Sequence, residues 1–132
     1  MNKQELLNLV DSLELPKNEY YILSSGCLLL YGLREKANDL DLCITQNLFN
    51  KLKDKYNLDE KDRNECGFYK INDLIEVVVT GKFPYEYDIK DGYPVQKLEM
   101  ILKSKQNSNR EKDKNDVVNI TKYLEKIKMY YN

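Results

Sequence analysis

Residues 24 to 42 read SSGCLLLYGLREKANDLDL, and the end of this stretch limits the possible folds more than any other feature. Asp39 and Asp41 flank a single leucine, and Leu40, Leu42 and Ile44 alternate with Asp39, Asp41 and Cys43. A period of two belongs to a strand, so the pattern predicts a strand over 39–45 with an apolar face and two carboxylates on the opposite face. Carboxylates that close repel each other, and without a counter-charge one of them tends to keep a proton. The segment LDLCI offers no cation. A divalent ion is the most economical relief, and hard oxygen donors with open positions suit Mg2+ or Mn2+, completed by water and substrate phosphate.

A third acid stands in LIEVVV, where Glu76 interrupts an otherwise apolar run. A lone carboxylate in such a strand needs a metal or a partner such as a lysine on the sheet edge. If the two strands are neighbours, Asp39, Asp41 and Glu76 converge as a metal-binding and catalytic triad. The SSG element supplies a complementary feature. Ser24 or Ser25 is expected to cap a short helix over about 26–31, with Gly32 as its stop. A helix start offers free N–H groups to phosphate, Gly26 allows close backbone approach, and a serine hydroxyl can donate to a phosphate oxygen; an ordinary N-cap is the plainer reading of the same residues.

The rest of the chain alternates helix and strand signals. Leu6, Val10 and Leu13 form a helical stripe ended by Pro16, and Tyr20–Leu23 reads as a buried strand. Leu48, Leu52 and Tyr56 give a helix over 47–56, and 68–71 with 74–80 reads as a hairpin with Asn72-Asp73 as its two-residue turn. Two prolines and two glycines make 81–95 an expected irregular loop, whose Tyr85, Tyr87 and Tyr93 either stack on a base or pack over the sheet. Helices follow over about 96–106 and 111–130, the second with Val117, Ile120, Leu124 and Ile127 on one face. The order implies an α/β (α+β) fold, a small mixed β-sheet backed by helices, as a single domain over 1–132.

The net charge of −1 provides no global basic field, although the residues from Lys97 onward carry nine Lys/Arg against five Asp/Glu. Within that basic region Lys103, Lys105, Arg110 and Lys112 either meet a triphosphate or form a solvated helix face. Arg34, in the loop before the acidic strand, either clamps phosphate or pairs with a nearby acid. With no histidine, the common zinc patterns and Ser–His or Cys–His catalysis are excluded. Cys27 and Cys43 sit in apolar runs and are expected to pack as small hydrophobes. No apolar run is long enough to span a bilayer and no signal peptide is evident, so a cytoplasmic location without membrane contact is expected.

Taken together, LSSGCLLLYGLREKANDLDL resembles the signature of the nucleotidyltransferase superfamily, which has the DNA polymerase β-like fold. Its members show a strand, a Gly-Gly or Gly-Ser turn, a helix, an acidic-x-acidic pair and a third acid on a later strand. The matching positions here are Ser25 and Gly26, Asp39 and Asp41, and Glu76, with Ser-Gly in place of Gly-Ser and Glu in place of the usual Asp. LKSKQNSNREKDKNDVVNI is similar to the tail of small bacterial members, so the resemblance covers most of residues 20 to 120. It implies transfer of a nucleoside monophosphate from a nucleoside triphosphate to a hydroxyl, on a small molecule, a protein side chain or an RNA end, with release of pyrophosphate. Ser24, Ser25, Gly26, Arg34, Lys105 and Arg110 would serve the nucleotide. The alternative is an antitoxin-type or regulatory nucleotide-binding module with little turnover, paired through its C-terminal helix with a helical partner or a second copy.

Overall fold

Asn2 starts the first helix: its side chain accepts the Glu5 N–H while the Glu5 carboxylate accepts the Asn2 N–H, closing a capping box. The computed structural model describes residues 1–79 and 86–131, the side chain of Tyr131 excepted. Within them lie α1 (Lys3–Ser12), β1 (Tyr20–Ile22), α2 (Ser24–Leu30), β2 (Leu40–Ile44), α3 (Gln46–Tyr56), β3 (Tyr69–Lys70), β4 (Ile75–Val78), β5 (Asp88–Lys90), β6 (Tyr93–Val95), α4 (Leu98–Lys105) and α5 (Glu111–Tyr131).

The six strands form one mixed sheet in the order β3-β4-β2-β1-β6-β5. β2 runs parallel to β4 and antiparallel to β1, β1 runs parallel to β6, and the two edge strands close antiparallel hairpins. The fold is therefore mixed α+β, as the alternation of signals implies. Ile22, Leu40, Leu42, Ile44, Ile75 and Val77 are essentially inaccessible to water and share one face, which packs against helices through Leu6, Leu28, Leu30, Ile101 and Ile120. Each such side chain contributes about 1.5–3 kcal/mol by leaving water, so this face fixes the register of the central strands.

Gly26 is part of that packing. A methyl group on its Cα would stand 2.7 Å from Ile22 Cγ2 and 3.4 Å from Leu6 Cδ1, so α2 lies against β1 and α1 only because this residue has no side chain.

Four expectations are corrected. The β3–β4 hairpin does not turn on two residues: Lys70 pairs with Glu76 and the Ile71 N–H donates to the Ile75 carbonyl at 2.9 Å, so the loop spans 72–74. Residues 88–95 are not irregular: β5 and β6 pair through a two-residue turn at Asp91 and Gly92, whose φ values of 53° and 85° are those of a left-handed hairpin turn. The Asp-Gly pair signals this turn, and Pro94 masks it. Ser24 and Ser25 do not cap α2 but lie in its first turn; Leu23 takes the capping position without a side-chain bond, and Ser24 is held at φ 37°. The inward face of α5 is not wholly apolar, because it begins with the buried Asp113 and Asp116 before Ile120. Residues 80–85, including Tyr85, lie outside the described residues.

Candidate active site

Strand direction gathers the acids at one end of the sheet. β2 and β4 run parallel in the register Leu40↔Ile75, Asp41↔Glu76, Leu42↔Val77, so Asp41 and Glu76 are direct neighbours on the same face. Asp39 precedes β2 by one residue, at a bend, and is close enough for its charge to act on the Asp41 carboxyl. The turn into α2 reaches the same end from the other side. Leu23, the last residue before α2, donates its N–H to the Asp41 carbonyl at 2.9 Å. The sheet thus places the SSG turn beside the first residues of β2.

Asp41 is the electrostatic focus. Its Oδ1 is buried and has no hydrogen-bond partner. Burial, reinforced by the charges of Asp39 and then Glu76, pushes its carboxyl up from 3.8 to about 6. Lys70 lies opposite Glu76 on β3, yet its ammonium bridges to Asp73 at 3.4 Å and forms no ion pair with Glu76. Among the described residues no lysine neutralises these partly buried acids. Their oxygens are the hard donors that suit Mg2+ or Mn2+, and the orphaned oxygen of Asp41 is the position such a cation would satisfy. Among the described residues, however, no three His, Cys, Asp or Glu side chains are already gathered as a metal cage. The donor chemistry fits the ion; the present side-chain positions are open.

The other nominated residues divide into two groups. Ser25 Oγ accepts a 3.2 Å hydrogen bond from Arg34 Nη1. The Ser24 N–H donates to Gln96 Oε1 at 2.9 Å, and the Gly26 N–H to the Leu23 carbonyl at 3.2 Å. Two of the amides expected to meet phosphate are thus already engaged, and the bare Cα of Gly26 serves core packing. Arg34 takes the second of its two readings. It forms a bidentate pair with Asp116, Nε to Oδ1 at 3.0 Å and Nη2 to Oδ2 at 2.6 Å. Lys105 is not on a solvated face: its ammonium lies 2.9 Å from Asp113 Oδ1 and 3.0 Å from Asp116 Oδ2, with 12% of its side chain exposed. Arg110 is exposed and approaches Asp113 at 3.9 Å, while Lys103 and Lys112 point to solvent.

Sequence reasoning missed Asp113 and Asp116, which join these cations into one network running from Ser108 through Lys105 and Arg34 to Ser25. Burial raises the Asp116 carboxyl, but hydrogen bonds from Arg34 and Lys105 outweigh it and leave the group below its ordinary value. Hydrogen bonds from Ser108 and Lys105 hold Asp113 down at about 2. The detectable signal is their spacing: 113, 116 and 120 fall on one helical stripe. The same network ties the far C-terminal helix to the turn beside the acids.

Of the loop tyrosines, Tyr87 stacks on Tyr21 with centroids 6.2 Å apart, and the Tyr93 hydroxyl donates to Asp11 at 2.8 Å. Cys27 and Cys43 are buried, as their apolar neighbours imply, and Cys66 is exposed. No helix among the described residues is long and apolar enough to cross a membrane.

Compared with known protein families, with characterised proteins and with solved structures, the chain matches none.

Proposed function

We propose that the chain is a divalent-metal-dependent nucleotidyltransferase, moving a nucleoside monophosphate from a nucleoside triphosphate to an acceptor hydroxyl. One observation carries this reading: Asp41 keeps a buried carboxylate oxygen without a partner, in the field of Asp39 and Glu76. An arrangement of that kind destabilises the bare protein, and a site used for cation and polyphosphate accounts for it.

Asp39, Asp41 and Glu76 would hold Mg2+ or Mn2+, which when bound offsets phosphate charge and favours the ionised acceptor hydroxyl. The acceptor oxygen attacks the α-phosphorus, the bond to the bridging oxygen breaks, and pyrophosphate leaves. Glu76 completes the metal site and takes the acceptor proton. Ser25, held by Arg34, presents its hydroxyl toward the triphosphate, and the ion pair with Asp116 fixes the Arg34 fork. In this reading Arg34 and Lys105 position the turn instead of forming the phosphate clamp.

The test is transfer of label from α-labelled nucleoside triphosphates in Mg2+ or Mn2+. Asp39→Asn and Asp41→Asn should each abolish transfer while the circular-dichroism spectrum is retained; transfer at the wild-type rate in either variant removes the proposal.

A second reading, a module that docks on a protein partner, is favoured by the end of α5. Met129 and Tyr130 are 84% and 78% exposed there. A stable monomer that turns over alone counts against it.

A further inference from the structure

The turn after α2 and the middle of α5 flank an open cleft of about 420 Å3 whose lining includes none of the three acids. Its walls are the segment 32–35 on one side and Asn119, Lys122, Tyr123 and Lys126 on the other. Both walls are anchored. The Asn119 side chain donates to the Leu33 carbonyl at 3.4 Å, and Arg34 is locked onto the buried Asp116. Tyr123 packs edge-on against Tyr31 with centroids 5.4 Å apart.

The charges of the cleft are unbalanced. Arg34 is already neutralised by Asp116, which leaves Lys122 and Lys126 against the single lining carboxylate, Glu35. The two lysines stand one helical turn apart, both exposed, and neither pairs with an acid among the described residues. Like charges at this spacing repel, and a dianion between them would remove the repulsion. The volume lies within the range of sites for small molecules and suits a mononucleotide. A nucleic-acid track would need a longer run of unpaired cations, whereas Glu35 lines the cleft beside this pair.

We infer that this cleft binds a phosphate-bearing small molecule of about mononucleotide size, with its phosphate between Lys122 and Lys126 and its organic part against Tyr123. The cleft shares only Arg34 with the proposed transferase site, and that guanidinium is already committed to Asp116 and Ser25; none of the three acids lines it.

The experiment is an amide-resolved NMR titration of the full chain in chelator, with pyrophosphate in one arm and ADP in the other. Wild type, Asp41→Asn, Lys122→Gln/Lys126→Gln and Lys128→Gln are compared, the last removing an exposed lysine outside the cleft. Saturable shifts should centre on 32–35 and 119–126, with ADP at least as tight as pyrophosphate. The double variant should bind about tenfold or more weakly, while Lys128→Gln and Asp41→Asn bind like wild type. Three results would overturn the inference: no saturable shifts in those segments, shifts centred on Ser24–Gly26 and Asp41, or a double variant that binds like Lys128→Gln. Because Asp41→Asn should lose transfer yet keep these shifts, failure of one site is told apart from failure of the other.

Discussion

Replacing Asp41 by asparagine removes one charge from the three-acid cluster and should make the metal-free protein more stable at neutral pH. The carboxyl is pushed up from 3.8 to about 6 in the folded chain by burial, Asp39 and Glu76. Below pH 3.8 it is protonated in folded and unfolded chains alike, and no penalty exists. As pH rises from there to about 6, the unfolded chain ionises and the folded one resists, so stability falls; above about 6 the penalty is constant. A shift of that size corresponds to about 3 kcal/mol at full effect. Access of water to the half-buried group reduces this to about 1.5–2 kcal/mol. For a chain of this length that is a rise of about 4–8 °C in Tm for Asp41→Asn at pH 7.5 in chelator, shrinking toward zero at pH 4. Mg2+ should then raise the Tm of wild type and leave the variant unmoved, because binding to the folded state alone stabilises it. The assay is thermal unfolding by circular dichroism at the two pH values, with and without Mg2+. A variant no more stable than wild type at pH 7.5, or an advantage that persists at pH 4, refutes the claim that Asp41 is ionised against its neighbours.

Other perturbations test the scaffold around the acids. Gly26→Ala should cost about 1–3 kcal/mol, read as a lower urea midpoint, since its methyl group would stand 2.7 Å from Ile22 Cγ2; an unchanged midpoint would mean that α2 shifts freely. Asp116→Ala leaves Arg34 and Lys105, each with 12% of the side chain exposed, without their shared counter-charge, and should cost about 3–5 kcal/mol in the same assay. Hydrogen bonds from Ser108 and Lys105 hold Asp113 at about 2, so its contribution is complete above pH 4 and lost as pH falls toward 2. The stability gap between wild type and Asp113→Asn should therefore close over that interval in acid-unfolding curves. Thr45→Ala removes the hydroxyl that accepts the Leu48 N–H at 3.1 Å to start α3, an N-cap loss of about 1 kcal/mol in chemical denaturation.

What the chain determines by itself is the local pattern. The alternation of DLDLCI sets a strand with acids on one face, and the apolar spacing of α1 and α3 sets two helices, because side-chain periodicity follows from backbone geometry alone. The Asp-Gly turn of the last hairpin was equally local, and two prolines in the surrounding segment hid it. Tertiary structure alone decided which residues meet. The register Asp41↔Glu76 depends on parallel pairing of strands more than thirty residues apart, and no local rule specifies that register. The same holds for Arg34 and Lys105. As isolated residues they are simply cations available to any anion; only when α5 packs across the α2 turn do they find Asp116, 3% exposed, within 3.0 Å. A buried charge must be paired, so long-range packing chose their partner and assigned them to holding the turn.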